Sequence, residues 1–98
     1  MDGVWELAID TPIGRLILTF NAQEEGGVLT GSLIGNNNNA EINDGKFDDG
    51  EATFSAFLNA PTGGSTNAAF RLNVGDDGKA YGTVATSFGA FGVEATKK

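Results

Sequence analysis

Apolar and polar residues alternate in short segments along the whole chain, and this period of two is typical of β-strands that bury one face. In the first segment, residues 4–10, the side chains of Trp5, Leu7 and Ile9 share one face, whereas Glu6 lies on the other. Seven further segments show the same alternation. The predicted strands are residues 4–10, 15–21, 28–34, 40–43, 51–59, 67–74, 79–86 and 91–96.

Turn sequences separate these segments, since glycine, proline, asparagine and aspartate favour tight turns. Asp44-Gly45 follows the fourth segment and is a strong hairpin signal. Asp48-Asp49-Gly50 is a second tight turn. The remaining predicted connections are the turns at 11–14, 24–27 and 76–78 and the loops at 36–39 and 61–65.

Consecutive antiparallel strands joined by short connections form an up-and-down meander, and eight such strands can close into a barrel without edges. We therefore predict an all-β fold, a closed eight-stranded antiparallel up-and-down barrel, in a single domain over residues 1–98. Closure requires residues 4–10 to pair with residues 91–96. Residues 27–33 and 78–84 also echo each other, with strand glycines at Gly31 and Gly82, and strand glycines let closed sheets bend.

The predicted interior holds two groups of side chains. The large inward residues are Trp5, Leu7, Ile9, Leu16, Leu18, Phe20, Leu29, Leu33, Ile42, Phe54, Leu58, Phe70, Leu72, Val74, Val84, Phe91 and Val93. The small ones are Gly31, Ala52, Ala56, Ala68, Ala80, Gly82 and Ala95. Large residues can fill an eight-stranded lumen, but the small ones cluster on strands five to seven. Two interpretations stay open, a filled core or a pocket for a small apolar ligand lined by Ala52, Phe54, Ala56, Ala68, Phe70, Ala80 and Gly82.

The outer faces of the second and third strands also carry apolar residues. Ile17, Val28 and Ile34 point outward by their parity. If strand curvature brings them together, they form a patch suited to a two-fold homodimer.

Composition excludes several kinds of chemistry. The chain contains no cysteine and no histidine, which removes disulfides, thiolate and imidazole metal sites and Ser-His-Asp catalysis. Six basic and 13 acidic residues give a formal net charge of −7, which disfavours nucleic acids and anionic membranes as partners. The longest apolar run, residues 16–18, is far too short to span a membrane. We expect a cytoplasmic protein without cofactors.

Candidate polar sites are weak. Glu41, Asp44, Asp48, Asp49 and Glu51 offer oxygen ligands for a cation such as calcium, but Asp-Gly pairs are what turns require and the spacing matches no EF-hand loop, so we expect no metal site. Asparagines 36–39 suit a solvated loop better than a carbohydrate site. Glu6, Asp10, Glu94, Arg71 and Tyr81 all face outward by parity, so no catalytic residue is assigned.

Two short motifs resemble calycin-like barrels. Gly3-Val4-Trp5 is similar to the G-x-W that opens lipocalin and avidin-type barrels, and residues 27–33 are similar to the G-x-L-T-G-[ST] strand of avidins. Nearly the whole chain resembles small bacterial barrel domains that read G-x-W, T-P-[MI]-G, G-x-L-x-G and D-G-x-[VF]-x-[DG]-G before a terminal basic residue. The resemblance implies that Trp5 plugs one barrel end under Lys97 as a cation–π partner. It implies no biotin site, since Glu-Leu-Ala-Ile follows Trp5.

These observations favour a non-catalytic binding or interaction module, whose expected partners are one small apolar ligand and a second copy of the chain. The first alternative is a cofactor-free isomerase, cyclase or lyase that uses a carboxylate, Tyr81 or Arg71 at the barrel mouth. The second is an accessory domain of a larger enzyme. Fold alone does not choose among them.

Overall fold

The computed structural model describes residues 2–12, 14–35, 38–59 and 64–98, and it shows an all-β chain that closes into an eight-stranded antiparallel up-and-down barrel. One of the eight strand positions is occupied by two short strands in succession, β4 and β5. The strands are β1 (Gly3–Thr11), β2 (Gly14–Glu25), β3 (Val28–Gly35), β4 (Asn38–Glu41), β5 (Asn43–Asp48), β6 (Glu51–Asn59), β7 (Ser65–Val74), β8 (Lys79–Thr86) and β9 (Gly89–Lys97).

Barrel closure is confirmed by the pairing of the first strand with the last. Strand β1 pairs with β9 from Trp5–Lys97 to Ile9–Val93, as the sequence predicts. Strand β2 pairs with the next strand, β3, along seven residue pairs, which completes the ring of neighbouring strands.

Most strand bounds agree with the sequence pattern. Strands β6 and β8 begin and end where predicted, and β1, β3, β7 and β9 are longer by one to three residues. Strand β2 is longer than predicted, since it continues from Asn21 to Glu25. Only Gly26 and Gly27 form the following turn, because residues 22–25 pair with β3.

The prediction was wrong at two connections. Asn38 and Asn39 belong to strand β4 rather than to a loop, because they pair with Gly35 and Ile34 of β3; Asn36 and Asn37 lie outside the described residues. Asp44-Gly45 is not a hairpin turn. It is a bulge within β5, where the register with β6 shifts between Asn43 and Lys46 and Asp44 has a φ of 53°. The predicted loop 61–65 falls largely outside the described residues, and Ser65 already begins β7.

Two glycines allow the strands to approach closely in the curved sheet. A Cβ added to Gly31 would lie 1.8 Å from the backbone oxygen of Asn21, and one added to Gly82 would lie 1.8 Å from that of Arg71. Neither position admits a side chain without a shift of the backbone. The sequence echo between residues 27–33 and 78–84 therefore marks two places where the backbone of the neighbouring strand approaches closely.

Candidate functional site

The residues predicted to line a ligand pocket do face the lumen. Six of them are buried, at 3% exposure or less, and Gly82 is half-buried; the six are Ala52, Phe54, Ala56, Ala68, Phe70 and Ala80. The ring of Phe54 stacks on Phe20, with centroids 4.8 Å apart, and on Phe70, at 4.9 Å. These three buried rings and the alanines belong to one packed core, which favours the interpretation of a filled lumen.

Trp5 and Lys97 occupy one end of the barrel. They are register partners in the β1–β9 pair, and Trp5 is only 2% exposed. Lys97 is anchored by its backbone N–H, which donates to the Gly78 oxygen at 2.8 Å, and its side chain passes Gly3, where an added Cβ would be 3.0 Å from Cε. The backbone thus brings the two residues together. A cation–π contact between them stays a prediction.

The predicted interface residues are only partly brought together. Ile34 pairs with Thr19, two residues from Ile17, so Ile17 and Ile34 are diagonal neighbours on the outer wall and are about 40% exposed. Val28 lies six residues from Ile34 on the same strand, about 20 Å away at the usual rise per residue. Val28 therefore does not share a patch with the two isoleucines.

Titratable groups considered for catalysis lie on the outer wall, as their parity predicts. Arg15 forms an ion pair with Asp10 at 2.9 Å, and the hydrogen bond and charge of Asp10 raise the pKa of the guanidinium above its ordinary value. Lys98 lies 3.3 Å from Glu6. Arg71 is 3.8 Å from Glu51, and Tyr81 is half exposed. These ion pairs and Tyr81 are exposed to solvent on separate parts of the wall.

A groove on the outer wall of β1–β3 was not predicted from the sequence. Its floor is an array of four polar side chains, because Asn21 pairs with Ser32 and Gln23 with Thr30 in the β2–β3 register. Direct partners in such a ladder place their Cβ atoms about 5 Å apart. We call this surface the β1–β3 groove; its lining is completed by Asp2, Gly3, Val4, Ala22, Glu24, Glu25, Val28 and Gly31.

Carboxylates border the β1–β3 groove. Asp2 Oδ1 accepts a hydrogen bond from the backbone N–H of Glu24, which fixes the residues before β1 against the end of β2. Glu25 follows on the exposed face. Asp2, Glu24 and Glu25 supply negative charge, and the described residues that line the groove include no lysine or arginine.

A signal for the groove was present in the sequence. Outward polar residues occupy alternate positions of 21–25 and of 30–32, but a prediction required the register between the two strands. The second strand is predicted to end at Asn21, which leaves Gln23 outside it and places Glu25 in the turn at 24–27.

A second, smaller depression lies on the opposite wall, across β5–β8. Small side chains line most of it: Thr53, Ser55, Ala69, Thr83 and Ala85. The charged residues Asp44 and Arg71 and the buried residues Phe54 and Phe70 complete the lining.

No known protein family, curated protein or solved structure matches the chain. Within residues 2–12, 14–35, 38–59 and 64–98, no helix is long and apolar enough to cross a membrane. In the same ranges, no group of three or more carboxylates is placed to hold a metal ion.

Proposed function

We propose that the protein is a non-catalytic binding module that holds a short, positively charged, extended peptide segment in the β1–β3 groove. The observation that carries the proposal is the polar array of Asn21, Gln23, Thr30 and Ser32 with carboxylates at its border. The groove follows strand β2 over residues 21–25, a length that matches about four or five extended residues.

The chemistry of the floor suits a peptide. Each amide side chain offers both donors and an acceptor, and each hydroxyl offers one donor and two lone pairs, so the array can satisfy the alternating N–H and C=O groups of an extended chain. Asp2 and Glu25 attract basic side chains, and the net charge of −7 steers cations toward the protein. Such partly exposed charge pairs are modest in energy, so the interaction is expected to be weak and sensitive to salt.

Because the lumen is filled with side chains, a binding site outside the barrel is favoured over one inside it. A small apolar ligand, the partner expected from the sequence, needs the volume that the rings of Phe20, Phe54 and Phe70 occupy. A cofactor-free enzyme needs an enclosed titratable group beside its substrate, and Tyr81 and Arg71 are exposed on the outer wall instead. The exposed positions of Tyr81 and Arg71 favour a binding function over a catalytic one, and the filled lumen favours a site on the outer wall.

We extend the proposal to the type of domain, its origin and its location in the cell. The closed up-and-down barrel that opens with Gly3-Val4-Trp5 is consistent with a bacterial calycin-like module in the cytoplasm. A binding domain of this kind also suits the role of accessory domain to a larger enzyme. Subcellular fractionation of the source cells tests the location.

Binding of a fluorescein-labelled tetra-arginine peptide, measured by fluorescence anisotropy, tests the proposed function. Thr30→Arg places a bulky cation in the β1–β3 groove, and we expect it to weaken binding at least about tenfold, equivalent to ~1.4 kcal/mol. Thr83→Arg makes the same change on the opposite wall and controls for net charge. Equal affinities of the two variants contradict a site in the groove.

A further inference from the structure

The outer face of β2 and β3 continues beyond the β1–β3 groove. In the β2–β3 register, the row after Asn21 and Ser32 is formed by Thr19 and Ile34, and Ile17 follows at the next outward position of β2. Successive outward residues of a strand lie about 7 Å apart. The polar floor of the groove is therefore continuous with the two isoleucines.

The two isoleucines form an apolar surface at this end of the wall. Ile17 is 40% exposed and Ile34 is 42% exposed, and as diagonal neighbours on paired strands both can contact one side chain of a ligand. Ala8, the register partner of Ile17 on β1, lies beside them. We call Ile17 and Ile34 the isoleucine pair.

Charge changes along this surface. Three carboxylates border the β1–β3 groove, whereas the charged side chains of β1 and β2 near the isoleucine pair are held in ion pairs. Arg15 lies 2.9 Å from Asp10, and Lys98 lies 3.3 Å from Glu6. The β2 residues 17–23 between the two regions are uncharged. One end of the surface therefore attracts cations, and the other offers apolar contact.

We infer that the peptide bound in the β1–β3 groove carries an apolar side chain beside its basic segment, and that this side chain packs on the isoleucine pair. The inference rests on the proposed function and names its ligand more closely. The ligand is an extended segment with basic residues at one end and an apolar residue at the other. The continuity of the wall and its change in charge carry the inference.

Strand geometry sets the spacing between the two parts of the ligand. An extended peptide that lies along β2 has nearly the same rise per residue as the strand. Four basic residues opposite 22–25 therefore leave two residues opposite 20–21 before an apolar residue comes level with 17–19. The floor consists of side chains rather than a strand edge, so both chain directions of the ligand are tested.

The isoleucine pair is expected to add selectivity rather than much affinity. Each of its side chains is already more than half buried, so a ligand covers only the remaining apolar surface. Tetra-arginine reaches the polar floor and the carboxylates but offers no apolar group to the isoleucine pair. A purely basic peptide therefore occupies only part of the surface.

Fluorescence anisotropy with matched peptides, labelled at the arginine end, tests the inference. The peptide RRRRGSLL places two leucines level with the isoleucine pair, and RRRRGSSS replaces them with serine. LLSGRRRR and SSSGRRRR repeat the comparison in the opposite chain direction. In at least one direction, we expect the leucine peptide to bind the wild-type protein about three- to tenfold more tightly than its serine counterpart.

The double change Ile17→Thr with Ile34→Thr should remove this preference, so that the leucine and serine peptides bind the variant equally. Threonine keeps the β-branched side chain that suits a strand, and both positions are exposed, so the barrel is expected to fold. Tyr81→Thr makes a comparable change at a half-exposed position of β8 and should leave the preference for leucine unchanged. Near-UV circular dichroism confirms that each variant is folded.

The proposed function and the inference fail in different ways. If RRRRGSSS and SSSGRRRR bind the wild type and Thr30→Arg equally, the site in the groove is wrong and the inference falls with it. If these peptides bind in the groove but leucine gives no gain in either direction, or the gain persists in the isoleucine variant, only the inference is overturned. It is also overturned if sedimentation equilibrium without peptide shows a dimer that the isoleucine variant loses, which would assign the pair to a second copy.

Discussion

The side chain of Asn38 makes two hydrogen bonds with the main chain of Asn59. Asn38 Oδ1 accepts from the Asn59 N–H at 2.6 Å, and Nδ2 donates to the Asn59 oxygen at 3.3 Å. Strand β4 pairs with β3, whereas β6 pairs with β5 and β7, so this amide joins β4 to β6 where no strand pairing does so in the described residues. One buried side chain therefore closes the barrel at its interrupted strand.

Asn38→Ala is expected to lower the free energy of unfolding by about 1–3 kcal/mol, because it removes two part-buried hydrogen bonds with the main chain of Asn59. Urea denaturation measures the change. Asn39→Ala, at the exposed neighbouring position, is the matched control and should change stability by less than ~0.5 kcal/mol. Equal effects of the two substitutions would show that the amide does not close the seam.

The filled lumen gives a second prediction. Phe54→Ala removes the central one of the three stacked rings and should cost about 3–5 kcal/mol of stability in chemical denaturation. The cavity is apolar, so the variant should gain a thermal shift with benzene. Phe57→Ala, on the same strand but exposed, should neither cause this loss of stability nor give a thermal shift with benzene. A benzene shift in the wild-type protein would instead show that the lumen is hollow.

Two glycines on neighbouring strands should respond oppositely to alanine. Gly82→Ala places a Cβ 1.8 Å from the Arg71 oxygen and should lower the melting temperature by many degrees, since backbone must move. Gly92→Ala meets no atom within 4 Å. It should be neutral or stabilise by up to ~1 kcal/mol through the unfolded chain. Thermal unfolding followed by circular dichroism gives the melting temperature of each variant. Comparable decreases in the two melting temperatures would contradict the close approach at Gly82.

The periodic pattern predicted the barrel because alternation fixes which side chains are buried, and closure then follows from strand number. Trp5, Leu7 and Ile9 are buried as their spacing requires. The prediction from the pattern failed where one short sequence is typical of two different structures. Asp44-Gly45 suits a hairpin turn and a bulge equally, and only the pairing with β6 distinguishes them. The β1–β3 groove was missed for a related reason, since its floor exists only in the register of Asn21 with Ser32.

Charge at the groove gives a fourth prediction. Glu25→Gln should weaken binding of the tetra-arginine peptide several-fold at low salt, because it removes one of the carboxylates at the border. Asp76→Asn makes the same charge change in the exposed turn before β8 and should have a smaller effect. The difference should shrink at high salt as the charges are screened. Anisotropy titrations at two salt concentrations provide the comparison, and equal losses would indicate attraction to net charge alone.

The central claim is tested most directly by mapping where the peptide binds. Two-dimensional ¹⁵N–¹H NMR spectra of the wild-type protein, recorded during titration with tetra-arginine, report on each backbone amide. We predict that the largest shifts fall within residues 21–25 and 28–32, the two strands of the groove floor. Shifts concentrated instead at the acidic turns 48–51 and 76–79, or an absence of localised shifts, would contradict the proposal.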